Sequence, residues 1–178
     1  MRRDAIVVRP YDPSWPAEFE RERQRLVVVL HHWLRRDIEH MGSTAVPDLP
    51  AKPIIDMLGV VDDVDDARQA IEPMRDIGWI HAPEPTDEGD RQLSFCTPNV
   101  EYRTHHLHLV EEKSQRWRGW LAFRDYLRAH PDVASTYADL KRELADQHGQ
   151  DPNQRDAYRM GKADFIVRVT QLALAEQS

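Results

Sequence analysis

The run PIIDMLGVV at residues 53–61 limits what this chain can fold into more than any other stretch. A nearly continuous apolar run of this length reads as a strand covered on both faces, so it belongs at the centre of a sheet. One carboxylate, Asp56, interrupts it. An unpaired charge is expensive to bury, so an ionisable group in such a strand calls for a partner or a ligand. Upstream lies the turn Gly42-Ser43-Thr44, and Lys52 stands between turn and strand. A Gly-Ser-Thr turn offers unhindered backbone amides and two hydroxyls, the groups that hold phosphate oxygens. It is not a Walker loop, because no Gly-Lys-Ser/Thr follows.

A chain of 178 residues is expected to form one domain, with an α/β part over residues 1–112 and a helical part over 113–178. That length buries roughly 70% of the unfolded surface. The net charge of −7 argues against long nucleic acid or an anionic membrane as partners of the whole surface, while leaving room for a local basic pocket. A single cysteine, Cys96, rules out an internal disulfide and suits a reducing cytosol. No apolar run reaches the ~20 residues of a membrane span, and the first residues lack a signal-peptide core. The expected location is the cytoplasm.

The remaining pattern is α+β. Residues 5–9 are β-rich, and Ser14 is placed to cap a helix with Pro16 in its first turn and an apolar face running to about Leu34. Strands are expected over residues 36–41 and 53–61, with the Gly42 turn between them. The acidic run at residues 62–66 opens a helix that ends near Gly78, and residues 79–90, rich in proline, read as an exposed loop. Residues 92–97 and 102–110 form a hairpin, and three helices follow at about 114–129, 132–148 and 154–175.

Three groups could carry chemistry. The first is the turn with Asp56. The second is Arg103-Thr104-His105-His106-Leu107-His108, where alternation puts His106 and His108 on one face of a strand, about 7 Å apart. Two such imidazoles can hold one metal or one phosphate. The third is C-terminal: Tyr158 and Lys162 are neighbours on the last helix, Arg155 and Arg159 repeat the spacing on the next stripe, and Lys141 with Arg142 lies on the helix before. Each has a plain structural alternative: a turn, a pair of half-buried histidines, a solvated basic stripe.

Taken together these residues resemble the GrpB family of nucleotidyltransferase-like proteins. The resemblance rests on VVRPYDPSWPAEFERERQRL, HMGSTAVPDLPAKPIID, THHLHLV, FRDYLRAHPDVASTYADLKRELA and DAYRMGKADFI, in that order over nearly the whole chain. It implies a nucleotidyltransferase-like fold, with a small mixed sheet, packed helices and a helical part closing a cleft. It also implies a link to nucleotide or coenzyme A metabolism. The implied activity is metal-dependent transfer of a nucleotidyl group from a nucleoside triphosphate to a small-molecule acceptor. The alternatives are a binding module without catalysis, or a histidine-rich metal enzyme of different chemistry. By this resemblance Gly42, Ser43, Thr44, Lys52, Arg103, Lys141, Tyr158 and Lys162 approach the nucleotide, Asp56 and Lys52 serve catalysis, and Asp56 binds a divalent metal; the chain's own residues add His106 and His108 to that metal set, a two-histidine-one-carboxylate group. Mg²⁺ or Mn²⁺ is expected, with Zn²⁺ or Fe²⁺ as alternatives, and His40 is a further candidate ligand. Two departures bear on the metal: a second carboxylate belongs two residues after the first, where this chain has Leu58, and the third acidic position, on a later strand, is matched by the His106–His108 strand.

Overall fold

The computed structural model describes residues 5–84 and 87–177. The apolar run becomes β2 (Ile55–Val61) and lies inside a five-stranded mixed sheet, as its composition requires. On one side β1 (Glu39–Met41) pairs with it antiparallel, and on the other β5 (Arg103–Glu111) pairs parallel. β4 (Gln92–Pro98) runs antiparallel to β5, and β3 (Ile80–His81) closes that edge, giving the order β1-β2-β5-β4-β3. The helices that follow complete the α+β class. Among the described residues no helix is long and apolar enough to cross a membrane.

Register decides which residues meet. Asp56 stands opposite His106 and Leu58 opposite His108, while Ser94 on β4 stands opposite His108 from the other side. Alternation then puts Asp56, His106, His108 and Ser94 on one face, and Met57, Leu107 and Phe95 on the other.

The second face is the main core. Helix α1 (Trp15–Leu30), with α2 (Val64–Ala67) and α3 (Ile71–Asp76), closes Leu26, Leu30, Val64, Ala67 and Met74 onto Ile55, Met57, Phe95, Leu107 and Leu109. The first face is covered only in part. Trp117 of α5 (Arg116–Ala129) packs on Leu58, Val60 and Val110, and the Asp56 end of the strand borders a cleft. Helices α6 (Pro131–His148) and α8 (Ala163–Glu176) join α5 around Leu127, Tyr137, Phe165 and Val169, a second core that also takes Val46 and Leu49 from the loop after the turn. Tyr158 of α7 (Arg155–Met160) meets Ile6, Leu144 and Ala145.

The β-rich residues 5–9 form an isolated bridge outside the sheet, where Arg9 and Ala51 exchange backbone hydrogen bonds of 2.8 and 2.9 Å, and the Ile6 N–H donates to the Gly149 carbonyl at 2.8 Å. Several expectations are corrected. Ser14 does not cap α1 with its side chain; its hydroxyl donates to Glu18, and the Asp12 carboxylate takes the Ser14 N–H at 2.8 Å. The helix expected over residues 62–78 is broken by a 3₁₀ turn at Arg68–Ala70. Pro73, in the first turn of α3, explains the break, because its ring would collide with the Gln69 carbonyl of a continuous helix. The stretch at 79–90 is not all loop. Trp79 is fully buried, its indole N–H donating to Glu22 at 3.2 Å; β3 follows it, and α4 (Asp87–Asp90) lies beyond Pro85 and Thr86, which fall outside the described residues. The last helix is divided at Gly161, where a Cβ would come 2.5 Å from the Leu144 side chain.

Candidate functional site

The site begins at a bend that only glycine can make. Gly42 has φ of +71°, and a Cβ there would lie 2.6 Å from Asp56 Oδ2. The turn is therefore pressed against the carboxylate, and any side chain would push it aside. A short 3₁₀ turn, Ser43–Ala45, follows. Its two hydroxyls have different surroundings. Thr44 is 1% exposed, with its hydroxyl donating to the Ile54 carbonyl at 3.2 Å and lying 3.0 Å from His40 Nε2. Ser43 borders the cleft, and its oxygen accepts from Lys141 Nζ at 3.0 Å.

Next to the bend, Asp56, His106 and His108 each offer a ligand atom, and these atoms all lie within 4.8 Å of one another. The sequence reading of these three as one cluster matches their placement. His106 Nδ1 donates to Asp56 Oδ1 at 3.1 Å, and His106 Nε2 is buried with no hydrogen-bond partner among the described residues. A buried nitrogen that gives up water without a replacement is costly unless something completes it. Two imidazole nitrogens and one carboxylate oxygen form a donor set that fits a divalent transition ion. The protonation states agree with this. Burial alone would push the Asp56 carboxyl up, but the hydrogen bond from His106 and the charges of His106, His108 and Lys52 hold it below its ordinary value. Burial pushes the His108 imidazole down, toward the neutral form a metal requires.

His40 is not part of this cluster. It points to the other face of the sheet, stacks on Phe19 with ring centroids 4.7 Å apart, and is pushed down to about 4 by burial. Its ring supports Thr44. The expectation of a fourth ligand fails because β1 pairs His40 with Met57, one residue out of phase with Asp56.

A cleft of about 490 Å³ opens over Asp56 and His106, with Ser43 and Thr44 at its edge. Six basic side chains line it (Lys52, Arg103, Lys141, Arg155, Arg159 and Lys162) against three carboxylates, Asp56, Glu84 and Asp156. A chain with net charge −7 thus concentrates positive charge in one cavity, an arrangement that draws in small anions. Lys141 is the most constrained of the six. It is 2% exposed, donates to the Pro50 carbonyl at 2.5 Å, sits 4.7 Å from the Tyr137 ring centroid, and is pushed down to about 7 by burial. Lys162 lies over the Tyr158 ring at 4.5 Å and is lowered to about 8, again by burial, with Asp56 opposing the shift. Tyr158 is a buried wall whose hydroxyl is raised to about 12. Arg103 is spoken for at the rim, donating to Glu84 at 2.8 Å.

All the residues proposed from sequence to approach a nucleotide, apart from Gly42, line this one cavity, and Gly42 abuts Asp56. Sequence reasoning left Arg155 and Arg159 among the solvated alternatives and did not find Glu84, Asp156 or Tyr137. The Arg155–Arg159 spacing was visible, but nothing in a lone helix says which stripe faces a cleft.

Comparison with known proteins gives a consistent family. The GrpB protein family model matches residues 5–172. The UPF0157 protein PA4798 of Pseudomonas aeruginosa is 37% identical over 97% of this chain and 69% of its own length. A dephospho-CoA kinase of Mycolicibacterium paratuberculosis is 29% identical over 84% of this chain, which corresponds to 44% of that protein. The chain spans less than half the length of some curated relatives it matches. Among solved structures, the conserved protein GrpB from Enterococcus faecalis superposes with a TM-score of 0.84 at 34% identity, over 96% of this chain and 99% of the other.

Proposed function

The chain belongs to the GrpB family, and on that premise we propose that it is a metal-dependent transferase moving a nucleotidyl group from a nucleoside triphosphate to a small acceptor. The observation that carries this reading is the meeting of Asp56 and His106, which line a cleft walled by lysine and arginine beside Ser43, with His108 directly behind them in the same cluster. Asp56, His106 and His108 would hold the ion. When bound, it supplies Lewis-acid stabilisation of charge on phosphate oxygens. Leu58 is fully buried beneath Trp117, so the donor set is built for one ion rather than a pair.

The residues around the ion have distinct tasks. Ser43 and Lys141 hold the phosphate tail, Lys141 bringing charge to the serine that it already contacts. Lys52 and Lys162 offset the negative charge that gathers as the acceptor oxygen bonds to the α-phosphorus and pyrophosphate leaves, the acceptor's proton passing to solvent. Tyr158 and Ile6 form the apolar side of the cavity. The acceptor fills the remainder of the cleft, toward Arg103, Arg155 and Arg159.

The test is calorimetric titration of ATP and other triphosphates with and without Mg²⁺, Mn²⁺ and Zn²⁺, with pyrophosphate release followed across an acceptor panel. Binding should require the ion, and a ligand at a hundredfold excess over Kd should raise stability by about 2.7 kcal/mol. Asp56→Asn should abolish turnover in a protein that melts normally. Undiminished turnover in that variant overturns the assignment. Leu58 favours a second reading, a binding module without catalysis. Tight metal-independent binding with no pyrophosphate released would select it.

A further inference from the structure

His108 is the ligand whose orientation is least explained by the cleft itself. Its Nδ1 lies 3.2 Å from Ser94 Oγ on the neighbouring strand, and the Ser94 hydroxyl lies 3.0 Å from Asp87 Oδ1. The same Asp87 oxygen accepts from Gln92 Nε2 at 2.7 Å. Asp87, Gln92 and Ser94 are all buried, at 7%, 5% and 3% exposure, so none of them gains from water what it would lose without these bonds. A carboxylate only accepts, so the single hydroxyl hydrogen of Ser94 is drawn to Asp87. Ser94 must then accept, and the donor facing it is Nδ1–H of His108.

We infer that Asp87 and Ser94 form a positioning relay that fixes His108 in its Nδ1–H tautomer and leaves Nε2 as the lone pair offered to the ion shared with Asp56 and His106. The inference rests on the metal reading above for its purpose, though not for its geometry. A histidine ligand needs its second nitrogen held, because an imidazole free to flip or change tautomer presents its lone pair to the ion only part of the time. Here the holding group lies two hydrogen bonds deep. Ser94 and Asp87 touch neither the cleft nor the ion, so they are positioning residues. Asp87 Oδ2 is buried without a hydrogen-bond partner among the described residues, so this carboxylate is kept at a cost that its two bonds at Oδ1 help to offset.

The test has two arms, both on the whole chain. In metal-free, ¹⁵N-histidine-labelled protein, two-bond ¹H–¹⁵N spectra should show His108 protonated at Nδ1. Ser94→Ala should lose that signature, and Ser94→Thr, which keeps the hydroxyl, should restore it. Zn²⁺ titration should then show a loss of affinity of about tenfold or more in Ser94→Ala, recovered in Ser94→Thr, both measured at temperatures where melting curves show each variant fully folded. A His108 found protonated at Nε2, or a signature indifferent to Ser94→Ala, overturns the relay. So does unaltered Zn²⁺ affinity in Ser94→Ala. If the wild-type protein shows the Nδ1–H signature but binds no Zn²⁺, Mn²⁺ or Mg²⁺, the relay stands and the metal reading falls, which separates the two failures.

Discussion

Lys141 sets a proton equilibrium against a structural position. Buried and lowered to about 7, it is charged below neutrality and increasingly neutral above it; Lys162 follows near 8. A triphosphate prefers both charged. Affinity for inorganic triphosphate should therefore be highest near pH 6 and fall as pH rises through 7 and 8, and calorimetry over that range in Lys141→Met should show a shallower fall. Stability moves the other way. The unfolded lysine keeps its value of 10.5, so between about 7 and 10.5 the unfolded state holds the extra proton and this residue makes the native state more stable as pH rises. Helical spacing alone makes Lys141 and Arg142 equivalent members of a basic stripe, and only the family resemblance singles out Lys141. The fold separates them: Lys141 turns inward to Ser43, while Arg142 pairs with Asp139 at 2.8 Å on the surface. A helix alone does not carry that distinction, since its burial is set by what packs on it.

Among elements, β2 was the most legible. Its composition demanded a central place, and its one carboxylate marked the site end. The pairing of Asp56 with His106 was anticipated as adjacency but not as register, which depends on the parallel alignment of strands some fifty residues apart. The relay was partly readable. Gln92, Ser94 and Cys96 alternate with Leu93 and Phe95, so their side chains had to face the histidine side of the hairpin. Their partner Asp87 was hidden in a segment whose prolines suggested loop, as was β3, although Trp79-Ile80 is an apolar pair that an exposed loop rarely carries. Leu58 makes a prediction that belongs to this scale. It shares the ligand face with Asp56, yet α5 seals it with Trp117. Leu58→Asp should therefore not create a second metal position. It should destabilise the protein by about 3 kcal/mol or more, read from urea unfolding, because an unpaired charge would sit in apolar packing.

Across the whole molecule, sign of charge divides function by location. The surface is acidic on balance and the cleft basic, so small phosphates and long polyanions should be treated differently. A labelled single-stranded RNA of about 30 nucleotides should bind weakly and lose its binding at moderate salt, whereas triphosphate should compete for the cavity at concentrations that leave the RNA equilibrium to salt alone. Anisotropy titrations at two ionic strengths would show it, and tight, salt-resistant RNA binding would contradict the division. The cleft itself is a product of the complete fold. The sheet provides its floor, the bend after β1 one corner, and α6, α7 and Lys162, the N-cap of α8, the opposing wall, with Ile6 bridging to Gly149. The sequence order of these pieces was clear, but their convergence was not, because it depends on how the helical half lies across the sheet.

The pairing of β2 with β5 couples occupancy to folding. Asp56 and the two histidines come from strands that become neighbours only after the intervening chain has crossed from one to the other, so a disordered polypeptide offers an ion the His106–His108 pair without the carboxylate. Any ion seated there would act as a clasp on the parallel pair. Stripping it with a chelator should lower the melting temperature, and the size of that drop would measure how tightly the native chain grips it.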